Sequence, residues 1–137
     1  MHLEGVATLG GNVCYLNLYA TLGDTDNPSV HIPANWYNVI TKLVGTNDMS
    51  QSDPGCAYLS VVDGSGTVNS GPNAGEGWID LDSLVIRIQD PNGPIDCEAG
   101  PVTALVENVG SDINAVLDQV TPCGPMSADL IGAGQIG

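Results

Sequence analysis

The chain has 137 residues, enough for one hydrophobic core, and its 42% apolar and 13% charged residues make a composition that folds rather than stays disordered. Sixteen Asp and Glu stand against Lys42 and Arg87 alone, giving a formal net charge of −14. Such a surface repels phosphates and anionic headgroups and has almost no cations to displace counterions, which argues against nucleic acid and anionic membranes as partners.

In chain order, Asn12 to Ala20 places Cys14, Leu16 and Leu18 on one face and Val13, Asn17 and Tyr19 on the other. With Gly10-Gly11 ahead of it, this alternation predicts a hairpin over Leu3 to Ala20. Gly23 to Pro28 reads as a loop. Pro33 then opens a segment with Trp36, Val39, Ile40, Leu43 and Val44 at helical spacing and Gly45 at its end, which predicts a first helix. Asp53-Pro54-Gly55 turns into a strand from Ala57 to Val62, and residues 63 to 77 read as a surface excursion rich in glycine. Strand character resumes in Trp78 to Asp82 and Leu84 to Ile88.

After the break at Asp90 to Pro94, the residues Val102, Leu105, Val106, Val109, Ile113, Val116, Leu117 and Val120 recur at steps of three and four. This predicts a second helix, divided where Gly110 disfavours the helix and Ser111 or Asp112 caps it. Thr121 to Pro125 ends it, and 124–137 reads as a flexible glycine-rich tail. The order of elements predicts a single α+β domain over 1–137, a mainly antiparallel sheet with one or two helices packed on it. An all-β jelly roll or sandwich, with the first helix replaced by loop, is the alternative.

Cys14, Cys56, Cys97 and Cys123 are widely spaced and form no C-x-x-C pair, which excludes a zinc knuckle, a redox dithiol and a haem attachment. An even count at such spacing predicts two disulfides and an oxidising location, extracellular or at the cell surface; three connectivities remain open.

The chain ends in Gly132-Ala133-Gly134-Gln135-Ile136-Gly137, which spells G-x-G-x-x-G, and from Leu130 onward it resembles the opening turn of malate and lactate dehydrogenases. That turn works by aiming a following helix at a pyrophosphate, and here no helix, second strand or ribose-binding acid follows. A dinucleotide cofactor is therefore not expected. His2 and His31 are the only histidines and no G-x-S-x-G elbow exists, which argues against a nucleophile with a base. Asp24 with Asp26, and Asp80 with Asp82, offer hard oxygen ligands at i, i+2 spacing for calcium; turn and cap roles compete. Trp36-Tyr37 and Trp78 are expected in the core or at its edge.

These features fit a non-enzymatic extracellular structural or surface protein. It would be a self-assembling filament, coat or surface-layer subunit that lends Leu3 to Leu9 to a neighbour's sheet, with its own copies or other surface proteins as partners. A secreted effector or ligand-binding module using the 63–77 segment, and a small secreted hydrolase working through carboxylates, are the alternatives.

Overall fold

Inward and outward side chains alternate through most of the chain. In the computed structural model, which describes every residue except Tyr58 and describes Gln89 and Asp90 by backbone alone, the result is ten strands. They are β1 (His2–Leu9), β2 (Asn12–Leu22), β3 (Val30–Ile32), β4 (Tyr37–Asn47) and β5 (Ser60–Ser70). There follow β6 (Glu76–Asp90), β7 (Gly93–Glu98), β8 (Val102–Val109), β9 (Asp112–Thr121) and β10 (Gly124–Ile136). Eight of them, in the order β1-β2-β4-β5-β6-β8-β9-β10, form an antiparallel ring that closes because β10 also pairs with β1. The fold is thus a closed up-and-down β-barrel, with β3 added in parallel to β10 and β7 added to β6.

This corrects the α+β expectation and also the sandwich alternative. Among the described residues there is no α-helix, only two 3-10 turns, Met49–Gln51 and Pro54–Cys56. The segment expected as a first helix is β4. Its inward residues Ile40 and Leu43 are three apart because Thr41 bulges out of register against β2, and an inward pair three apart imitates a helical step. The same device recurs at Val62, between inward Val61 and Gly64, and at Asp82, between inward Leu81 and Leu84.

The second expected helix is the hairpin β8–β9, turning at Gly110-Ser111. Its spacing arose by mixing two faces: Val102, Val106, Ile113 and Leu117 point inward, while Leu105, Val109, Val116 and Val120 point out. Residues 63 to 70, expected in a surface excursion, belong to β5. Gly66 there is required by close approach, since a Cβ would collide with the Asp80 carbonyl oxygen of β6.

Residues 124–136, read as tail, are the strand that closes the ring. Gly132 and Gly134 lie within β10 against the backbones of β1 and β3, where the carbonyl oxygens of His2 and Val30 leave no room for a Cβ. Strand β1 is likewise built into the wall, paired with β2 on one edge and β10 on the other, so it is not free for donation.

The core is the lumen. At one end, Val30 of β3 closes over Val68, Ile113 and Ile136, and all four are fully buried. Both disulfides sit at the other end. Cys14–Cys56 holds the 3-10 segment against β2, assisted by Val13 N–H donating to Asp53 at 2.9 Å and Tyr15 N–H donating to Ser52 at 2.9 Å. Cys97–Cys123 ties β7 to the β9–β10 turn. Both bonds agree with an oxidising environment.

Glu98, at the end of β7, fastens the same rim. One carboxylate oxygen accepts the N–H groups of Leu84 at 2.7 Å and Gly100 at 2.9 Å, and the other accepts the Ser83 hydroxyl at 2.7 Å. The Leu84 bond, then that of Ser83, hold its carboxyl below the usual glutamate range against a smaller opposing effect of desolvation.

Two predictions follow from this rim. Replacing Cys97 and Cys123 by Ser, which opens a link of sequence separation 26, is expected to cost about 3–4 kcal/mol in urea unfolding, and an unchanged midpoint would contradict it. For Glu98, a lowered folded-state pKa means that its stabilisation is complete above the unfolded value of about 4.3 and is lost as pH falls through the folded value. Glu98→Gln is therefore expected to be less stable at pH 7 and to lose less stability on acidification than the parent; parallel pH profiles would remove the role assigned to the carboxylate.

Candidate binding surface

Because strands alternate, an apolar residue out of phase with the lumen must face solvent. Several do so in register. Trp78 of β6 lies opposite Leu105 of β8, which lies opposite Val116 of β9, all on the outer wall. Leu105 is 71% exposed, Val116 44% and Trp78 36%. Across β5 the row continues through Asn69 to Tyr37 of β4, which is 64% exposed and follows Trp36 at 66%. Four strand spacings separate Tyr37 from Val116, about 19 Å of wall.

This placement overturns the expectation for Trp36-Tyr37, which are outside the core. Asn35, with φ of +61°, turns the chain there, and the Trp36 carbonyl accepts the Ser70 N–H at 2.8 Å. The anchored backbone presents both rings to solvent rather than to the lumen.

Beside Trp78 the wall is hollowed into a groove of about 580 Å³, bounded by the β5–β6 turn at Gly71, Pro72 and Asn73 and floored by Trp78, Leu105 and Val116. Gly71 shapes it. A Cβ there would stand 3.4 Å from Trp78 Cζ3, in ordinary contact, and 3.2 Å from the Glu76 carbonyl oxygen, a tight approach, so the turn lies close against the edge of the ring.

The next row is polar: Glu76 lies opposite Glu107, which lies opposite Asn114. Two carboxylates directly opposite one another across a ladder repel. The ion pair found among the described residues, Arg87 with Asp96 at 2.7 Å, is elsewhere, on the β6–β7 hairpin. Asn73 donates to Glu76 at 3.4 Å and Asn114 donates to Asp129 at 2.6 Å, so the rim is acidic and partly organised.

The four candidate calcium ligands are not brought together. Asp24 and Asp26 lie in the loop after β2, where Asp26 accepts the Thr21 hydroxyl at 2.8 Å. Asp80 and Asp82 lie on β6, where Asp80 accepts the Thr103 hydroxyl at 2.7 Å and Asp82 is the bulged residue. Among the described residues no group of three or more His, Cys, Asp or Glu side chains is placed to hold a metal ion. His2 stacks on Tyr19 with centroids 4.6 Å apart, and His31 meets the Ser29 hydroxyl at 3.1 Å on the exposed face of β3.

No family model matches the sequence, and neither a curated protein nor a solved structure matches it.

Trp78 was read in a strand, but Leu105 and Val116 of the outer row were visible in the sequence only as part of a helical pattern. What could have separated it is the valine content of 102–120, which favours strand, together with Val109-Gly110-Ser111-Asp112 as a tight turn. If the row serves contact rather than stability, Leu105→Ser is expected to change unfolding free energy by less than about 0.5 kcal/mol. Leu117→Ala, on the lumen side, should cost about 2–5 kcal/mol. Comparable losses in both variants would make the row a part of the core.

Proposed function

We propose that this protein is an extracellular, non-enzymatic binding module that holds another polypeptide against the outer wall centred on Trp78. The observation that carries the reading is the exposed row Trp78–Leu105–Val116 with its groove. Aromatic side chains give large contact area at low conformational cost and dominate interface energetics. An open wall with Leu105 so exposed is covered better by a surface of protein size than by a small molecule, which needs a site enclosing most of its own surface. The acidic rim and the net charge of −14 favour a basic partner and speed its encounter. Two disulfides support placement outside the reducing cytosol.

A second reading, a self-assembling surface subunit, is favoured by one further observation. The row continues past Asp129 to Val6 of β1, so outward apolar residues recur around the ring where another copy could pack. The closed wall leaves strand donation by β1 out of this version.

The test uses the two tryptophans as reporters, since both are exposed. Basic, neutral and acidic peptides are titrated at physiological salt against the parent, Trp78→Ala and Trp36→Ala, with tryptophan emission and calorimetry as readouts. The reading expects selected basic peptides to bind and Trp78→Ala to weaken them at least about tenfold. Equal affinity in Trp78→Ala, or binding that ignores peptide charge, would overturn it. Sedimentation velocity showing a concentration-dependent assembly that Leu105→Asp dissolves would favour the subunit instead.

A further inference from the structure

The lumen retains a cavity of about 100 Å³. Its lining is wholly apolar, and it lies off-centre. Val30, Val68, Ile113 and Ile136, which seal one end, do not line it, whereas Leu9, Cys14, Leu59, Leu84 and Met126, toward the disulfide end, do.

The reason is residue size. An eight-stranded barrel has an interior just wide enough to be filled by side chains or to hold one small ligand, and the outcome depends on what points inward. Ala7 of β1 lies directly opposite Ala128 of β10, with Cys14 on the other side of Ala7, so one cross-strand row is small over three strands. Ala104 and Ala115 add two more short side chains to the lining. Larger residues at these positions would fill the space.

We propose that this cavity is a binding site for one small, uncharged, apolar molecule of about the size of benzene. Water gains little there, because it needs two to four polar partners and the lining offers none; apolar cavities of roughly this size stay dry and take up benzene or xenon. The same lining rejects charged molecules and disfavours those with hydrogen-bonding groups, which would be buried without partners. The route of entry lies at the same end. There β7 takes the edge of β6 that β8 occupies lower down, and among the described residues β7 forms no ladder with β9, while Cys97–Cys123 ties β7 to the β9–β10 turn. This site is separate from the outer wall and does not depend on the function proposed for it.

The experiment titrates the purified disulfide-bonded protein with benzene, then with phenol, which adds one hydroxyl to the same ring, following the melting temperature and the methyl resonances of Ala7, Ala115 and Ala128. Benzene at about ten times its Kd is expected to raise the melting temperature by about 5 °C and to shift those methyls. Phenol is expected to bind at least tenfold more weakly. Ala128→Leu should lose benzene binding, while Leu105→Ser on the outer wall should keep it. Because Ala128→Leu could fail to fold, Ala7→Val serves as the second filling variant, and the methyl shifts in the parent stand without either. Absence of any benzene-induced shift in the parent, shifts confined to outer-wall residues, or undiminished binding in a folded filling variant would each overturn the proposal.

Discussion

The pairing of Glu4–Leu9 with Met126–Ile131 is the contact on which the rest depends. Without it β1 and β10 would each expose a full edge of unpaired N–H and C=O groups, and the sheet would be open to other chains. With it the ring has eight members, and that number fixes how wide the lumen is and therefore how much side-chain volume it holds. Closure also forces the strands to tilt and coil. The three bulges at Thr41, Val62 and Asp82 and the inward glycine at Gly66 are how this sequence meets that demand, each allowing a strand to bend while its apolar residues stay inside.

Those same devices decide what was legible beforehand. Regular alternation in Asn12 to Ala20 read directly as a strand, which the structure extends to Leu22, and widely spaced cysteines read directly as two disulfides. Where a bulge inserts one residue, the period of two becomes a step of three, and Ile40 with Leu43 took on the look of a helix face. Over 102–120 the confusion had another source. Both faces of a hairpin carry large apolar residues, and a linear pattern does not tell which of Leu105 and Val106 is wet. Glycine misled in β5, where Gly64 and Gly66 mark close strand crossings and not a loop. Ring closure itself joins segments more than a hundred residues apart, which no local pattern encodes.

The outer wall is the feature that the barrel does not require. A closed ring is satisfied by polar residues at its outward positions, and much of this surface has them: Glu4, Asn17, Asp80, Glu107 and Asp118 all point out. Against that background Trp78, Leu105 and Val116 stand in one row on neighbouring strands, beside carboxylates that repel one another, and Trp36 and Tyr37 carry exposed aromatic surface further round the ring. Exposed apolar area rimmed by polar groups is the usual mark of a contact surface. In a chain with two Lys or Arg residues, a basic partner of the kind proposed would relieve the repulsion between Glu76 and Glu107.

The two ends of the lumen are closed by different physics. At one, aliphatic side chains pack to exclusion of solvent around β3, and the tie is non-covalent. At the other, β6 outruns β8 and turns back as β7, which occupies the edge where β8 would have continued. A gap in the ladder facing β9 follows from that choice, and packing alone has little to fill it, because the nearby inward residues include Ala7, Ala104 and Ala128. Disulfides are effective at such a place. They act mainly by restricting the unfolded chain and need no close-packed surroundings, so they can secure a rim while leaving the space beneath it vacant. The covalent staples and the residual cavity are in this sense one arrangement: the end that was left loosely filled is the end that was tied.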